Sequence, residues 1–200
     1  MPLALWTNRG DFLSNALPAD TATVFGNGGL TFPDEGNLVR AVSQPGISPA
    51  ATGGDYVLAV TSIPANSFDI AGRGLNFLAM GSFASNTAVK TVKIFFAATT
   101  AVVGSVVTGG TVIASGTSNA TLGSGGWNLE ANVFKYGAAG SNTQLGLHTS
   151  FQSGNIVGAL AAPSVLTAIE TATIIVAVTG NAATTVTDIV LSFWELNAMN

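Results

Sequence analysis

From Tyr56 onward the chain alternates apolar and small or polar residues in runs of strand length, and this period of two is its strongest constraint. The stretch LNFLAMGSF sets Leu75, Phe77, Ala79 and Phe83 on one side. Runs of this kind occupy 56–62, 67–71, 74–83, 89–97, 101–107, 111–115, 127–136, 143–151, 171–179 and 186–196, with Gly, Pro, Asn and Ser between them. Only APSVLTAIETA hints at a helical repeat. Many short strands at this spacing predict an all-β fold, a two-sheet antiparallel jelly-roll sandwich.

An exposed strand should offer water a polar row. Here Leu78 and Met80 stand beside Asn76 and Ser82 on the second side of 74–83. In WNLEANVFKY, Trp127, Leu129, Ala131 and Val133 share one face. Asn128, Glu130 and Asn132 share the other, until Phe134 and Tyr136 turn that edge aromatic. In DIVLSFWEL, Ile189, Leu191 and Phe193 alternate with Val190, Trp194 and Leu196. One face builds the core; the other needs a partner. Leu78, Met80, Phe134, Tyr136 and Trp194 are the candidate subunit-interface residues, and self-association about a rotation axis is the simplest source of cover. Charged residues make up 8% of the chain, against about 25% in an average soluble domain. Gly, Ala, Thr, Ser and Asn replace them, which suits a surface that another protein covers.

Residues 1–54 read differently. Six of the seven Pro fall by residue 64, GNGG and QPGISPAATGG interrupt the pattern, and Trp6, Phe12, Phe25 and Phe32 stand singly. Such a segment cannot build its own core. It reads as an extended N-terminal arm that inserts those aromatics into a neighbour, ahead of a sandwich domain at 55–200. The nearly chargeless run 99–126 reads as a hairpin turning at Gly109-Gly110, followed by a Gly/Ser loop.

Little here can do chemistry. With no Cys, thiolate metal sites and disulfides are excluded, and His148, the one histidine, cannot build a zinc site alone. It reads as a surface or interface residue. No G-x-S-x-G elbow frames a serine. Asp34 and Glu35 are the one adjacent acid pair and read as a solvated turn. GNGG, GSGG and GRGLNF lack phosphate-binding spacing. The Arg9-Gly10-Asp11 triplet and the Asn119-Ala120-Thr121 acceptor pattern read as chance matches. The net charge of −4 and six scattered Lys and Arg argue against nucleic acid. No run approaches the ~18 apolar residues of a membrane helix, and no export signal is evident. The chain reads as a non-enzyme without catalytic residues, cofactor or metal.

Three segments carry a resemblance: DYVLAVTSIPANSFDIAGRGLNFLAMGSFASNTAVKTVKIFFA, then GGWNLEANVFKYGAAGSNTQ, then TIIVAVTGNAATTVTDIVLSFWELN. Together, over about 55–197, they resemble tailed-bacteriophage virion structural proteins of the jelly-roll, capsid cement (decoration) type. The resemblance implies a homotrimer on the outer capsid surface of the virion, assembled in the host cytoplasm and bound to the major capsid protein. It implies no catalytic residues. The alternative is a tail-fibre or head-fibre receptor-binding domain. A carbohydrate-binding or hydrolytic jelly roll is a third reading, and it requires exposed aromatics and an acid pair in one groove.

Overall fold

The computed structural model describes residues 23–25, 29–31, 37–68, 70–118, 125–153, 156–157 and 162–199. The alternating runs become strands: β4 (Tyr56–Ile63), β5 (Gly74–Phe83), β6 (Lys90–Phe96), β7 (Thr111–Thr117), β8 (Gly125–Lys135), β9 (Gln144–Ser153), β12 (Ile174–Ala182) and β13 (Ile189–Met199). Ahead of them come β1 (Thr23–Phe25), β2 (Gly29–Thr31) and β3 (Asn37–Ile47). The short β10 (Ile156–Val157) and β11 (Ser164–Leu166) both pair with β9.

Pairing order identifies the topology. One sheet runs β3-β13-β5-β8 and continues to β9; the other runs β4-β12-β6-β7. The pairs β6–β7, β5–β8, β4–β12 and β3–β13 are nested and antiparallel. The chain is thus one long hairpin, rolled so that successive segments fall in alternate sheets. That is the eight-strand jelly roll, two Greek keys packed face to face.

The inner faces carry the core, as period two requires. Leu75, Phe77, Ala79 and Phe83 of β5 and Trp127, Leu129, Ala131 and Val133 of β8 are all buried. Phe96 takes Phe68 and Phe77 edge-on, with centroids 6.1 and 6.3 Å away, and Trp127 stacks on Phe83 at 5.8 Å. Fully burying one such aromatic stabilises by about 1.5–3 kcal/mol. Gly81 makes room for this packing. A Cβ there would run into the Val190 carbonyl oxygen and the Trp127 ring. The carbonyl belongs to a paired strand and cannot swing aside, so Gly81→Ala is expected to cost about 1–3 kcal/mol, read as a lower urea midpoint with an unchanged slope.

Several expectations are corrected. β3, read as part of the arm, pairs with β13 from Asn37 to Ile47 and supplies the sheet's outer strand, so the sandwich begins before residue 55. Residues 67–68, 70–71 and 101–107 form turns and loop rather than strands, and the weak helical candidate contains β11. Gly109-Gly110 turns no 101–107/111–115 hairpin, because β7 pairs with β6. Trp6, Phe12 and Phe32 lie outside the described residues; Phe25 falls in β1, paired with Gly29.

Two β-bulges account for the largest side-chain reversals. The register of β13 shifts between Leu191 and Phe193 against both neighbours. One extra residue flips everything beyond it to the other face. Trp194 and Leu196 therefore join Ile189 and Leu191 inside, and Phe193 goes outside. Trp194, at 5% exposure, is a core residue of its own subunit and not an interface residue. A second shift, opposite Glu130 and Ala131, turns both His148 and Phe151 of β9 inward. His148 is buried, not at the surface.

Candidate functional site

The two outer faces of the sandwich are finished in different ways. On the smaller sheet, Val57, Phe95 and Ala177 form a second apolar cluster with Ala98 and Val107, which come from the loop between β6 and β7. That loop is pinned along β4. Val57 N donates to Ser105 O (2.8 Å), Gly104 N to Val57 O (2.9 Å) and Val107 N to Asp55 O (3.0 Å). The chain roofs this face itself. The roof leaves Val102, Val103 and Val106 exposed on a tight turn around Gly104, whose φ is +86°.

The larger sheet has no such roof among the described residues. Its outer face follows from the register. Phe193, Met80, Asn128 and Gln152 stand in one row; Glu195, Leu78, Glu130 and Ser150 stand in the next; Asn197, Asn76, Asn132 and Leu147 form a third. A fourth row brings Phe134 and Met199 over Gly74, beside Leu145. Asn76 ties the middle rows together, its Nδ2 donating to Glu130 Oε1 and Asn132 Oδ1 at 2.8 Å each. Ser150 Oγ donates to Glu130 Oε2 at 3.3 Å. A polar ladder therefore runs between apolar ends. Met80 is 38% exposed and Tyr136, just past β8, is 55% exposed; Leu78 and Phe134 are half-buried by their neighbours. Of the five interface candidates, Leu78, Met80 and Phe134 share this face, Tyr136 stands at its margin, and Trp194 lies behind it.

A buried ionic cluster at one end of the larger sheet escaped the sequence reading. Lys135 and Glu170 are 1% and 2% exposed, and Nζ lies 2.6 Å from Oε1. Nζ also donates to Glu170 Oε2, Ser141 Oγ and Thr143 Oγ1 at 2.8, 2.8 and 3.1 Å. Gln144, wholly buried, donates to the same Glu170 Oε1 and to Ala168 O, and accepts from Ala168 N. Every polar group there has a partner, as burial in low dielectric demands. Burial alone would push the Glu170 carboxyl up. Hydrogen bonds from Lys135 and Gln144, with the Lys135 charge, outweigh it and hold the group below its ordinary value. The contribution of this ionised pair is therefore full above the usual carboxylate range of about 4.3 and is lost as pH falls through the folded value. Lys135 occupies the position after Val133 in the inward alternation. A charge at an inward position must find a partner, and that was the available signal.

An open cleft of about 440 Å³ lies between the end of β6 and the segment 166–175. Thr99, Thr111, Thr167 and Thr173 line it over a floor of Phe96, Leu166 and Ile174, and none of its lining residues is ionisable. Its one aromatic, Phe96, is fully buried, so the cleft has neither the exposed aromatics nor the acid pair of a glycan-cleaving groove. Among the described residues no cluster of three or more His, Cys, Asp or Glu could hold a metal ion, and no helix is long and apolar enough to cross a membrane.

No protein-family model and no curated protein matches the chain. A solved structure, the CBM2 module of Lactobacillus casei BL23 phage J-1 evolved Dit, is similar at 13% identity and a TM-score of 0.31, over 94% of this chain and 92% of that one. A superposition that loose assigns neither fold nor function.

Proposed function

We propose that this chain is a structural protein of a bacteriophage virion, a non-enzymatic capsid cement protein. It acts as a homotrimer that binds the outside of the assembled capsid through the major capsid protein. The observation that carries the reading is the larger sheet's outer face, where Leu78, Met80, Phe193 and Phe134 have, among the described residues, no roof like that of the smaller sheet. The jelly-roll strand order supports it, being what the phage resemblance implies. Cement stabilises by mass action, because it binds the expanded shell and not the loose subunits. The aromatic arm, with Trp6, Phe12, Phe25 and Phe32, is proposed to reach the shell.

Quantifying this chain against the major capsid protein in purified particles tests the role. Hundreds of copies per particle are expected; a few dozen or fewer assign it to a fibre. Deleting residues 1–22 removes Trp6 and Phe12 and keeps all described strands, β3 included. The truncated chain is expected to stay a folded trimer and to lose shell binding, measured by co-sedimentation with expanded capsids. Undiminished binding would dismiss the arm. The fibre-head, receptor-binding reading is favoured by the threonine-rimmed cleft, whose size falls in the range of ligand pockets.

A further inference from the structure

We propose that the side chains of Lys135 and Gln144 become joined by an isopeptide bond inside the sandwich, with Glu170 carrying the protons and ammonia leaving. The two residues are direct cross-strand partners on β8 and β9, the closest placement two strands allow. Both are buried, with Glu170, out of reach of water. A structural ion pair needs only Lys135, Glu170 and the two hydroxyls. The added feature is the carboxamide. One oxygen, Glu170 Oε1, contacts both Lys135 Nζ, at 2.6 Å, and Gln144 Nε2. The incoming nitrogen and the nitrogen that would leave thus share one proton acceptor and lie within about 5 Å of each other.

The rest of the site is oriented for the same exchange. Ala168 N donates to Gln144 Oε1 at 3.0 Å, where negative charge develops when a nucleophile adds to the carbonyl. Ala168 O accepts from Nε2 at 3.1 Å, so the amide plane is fixed from both ends. In the step, Nζ gives a proton to Glu170 and its lone pair forms a bond to Gln144 Cδ. The carbonyl electrons move onto Gln144 Oε1. Their return breaks the Cδ–Nε2 bond. Two of the three Nζ protons reach the departing nitrogen through Glu170, so it leaves as ammonium, the new amide keeps one hydrogen and Glu170 is again a carboxylate. No oxidant or cofactor is needed. Holding the reacting groups in a dry, fixed geometry replaces external activation.

The intact mass of the purified full-length chain tests this. Bond formation is expected to lower it by one ammonia, about 17 Da. Trypsin acting on the denatured chain should no longer cut after Lys135, because the ammonium it recognises has become an amide. Glu170→Gln and Lys135→Arg should restore the full mass; since either substitution can impair folding, the mass of the unaltered chain is decisive. The bonded chain also lacks the Lys135 charge, so the acid sensitivity of the ionised pair should be absent from its unfolding midpoint. Full mass with normal cleavage after Lys135 overturns the proposal. So does a lost ammonia with that cleavage intact, which would place the loss elsewhere.

Discussion

Glu170→Ala is expected to destabilise the chain by about 3–5 kcal/mol, because it strips the carboxylate from a lysine at 1% exposure. Lys135 Nζ would keep only Ser141 Oγ and Thr143 Oγ1, and Gln144 Nε2 only Ala168 O. Neither residue can turn to water without opening the end of the sheet. The loss should appear as a lower urea midpoint, and in heating as a fall of roughly 2–4 °C per kcal/mol for a chain of this size. Replacing both members, Lys135→Met with Glu170→Leu, should recover most of it, since apolar groups of similar volume carry no desolvation penalty. If Glu170→Ala costs under about 1 kcal/mol, the cluster is wetter than its burial indicates. The cluster also fastens the 137–143 turn and the segment 167–170 to β8 and β9, through Asn142 Oδ1 to Glu170 N and Gln144 to Ala168. Its loss should therefore loosen one wall of the threonine-rimmed cleft.

The alternation made the interior of the fold readable. β5 spans the residues assigned from LNFLAMGSF and its preceding Gly74, and the inward set of β8 was correct to the last apolar residue. Two of the failures share one physical cause. A bulge adds a residue without any change in composition, so a period-two reading continues past it on the wrong face. Trp194 and His148 were both misplaced in this way. β3 was missed for a related reason. Its NLVRAVSQPGI carries a Pro and a Gly, which an edge strand tolerates and a central strand does not. The 97–110 loop looked like half of a hairpin because AVVGSVVTGG has strand composition. Its Ala98, Ala101 and Val107 in fact cover the outer face of the smaller sheet, while Val102, Val103 and Val106 stay exposed. The ionic cluster joins residues 135, 144 and 170 through the β8–β9 and β9–β11 pairings, and the second of these involves a strand that the sequence pattern presents as a weak helix.

The two outer faces should respond to substitution in opposite ways. Phe95→Ala, under the roof of the smaller sheet, is expected to cost about 3 kcal/mol or more of stability and to leave the oligomeric state alone. Leu78→Lys with Met80→Asp, on the larger sheet, should do the reverse. Leu78 lies between Glu130 and Glu195 in its row, so a lysine there meets opposite charges in the free subunit. Met80 is flanked in its own row by Asn128 and Phe193 and is already 38% exposed, so an aspartate there empties no core, and the lysine at 78 stands between it and the glutamates of the next row. In the assembled state both charges would be pressed against a neighbour over an interface of about 800 Å² per partner. A rotation axis repeats that penalty in every subunit. The expected result is an unfolding midpoint close to that of the unaltered chain, with the mass by light scattering falling from trimer to monomer. If the unaltered chain is already a monomer, or the doubly substituted one still runs as a trimer, this face is not where the copies meet, and Leu78, Met80 and Phe134 are simply tolerated at an open sheet surface.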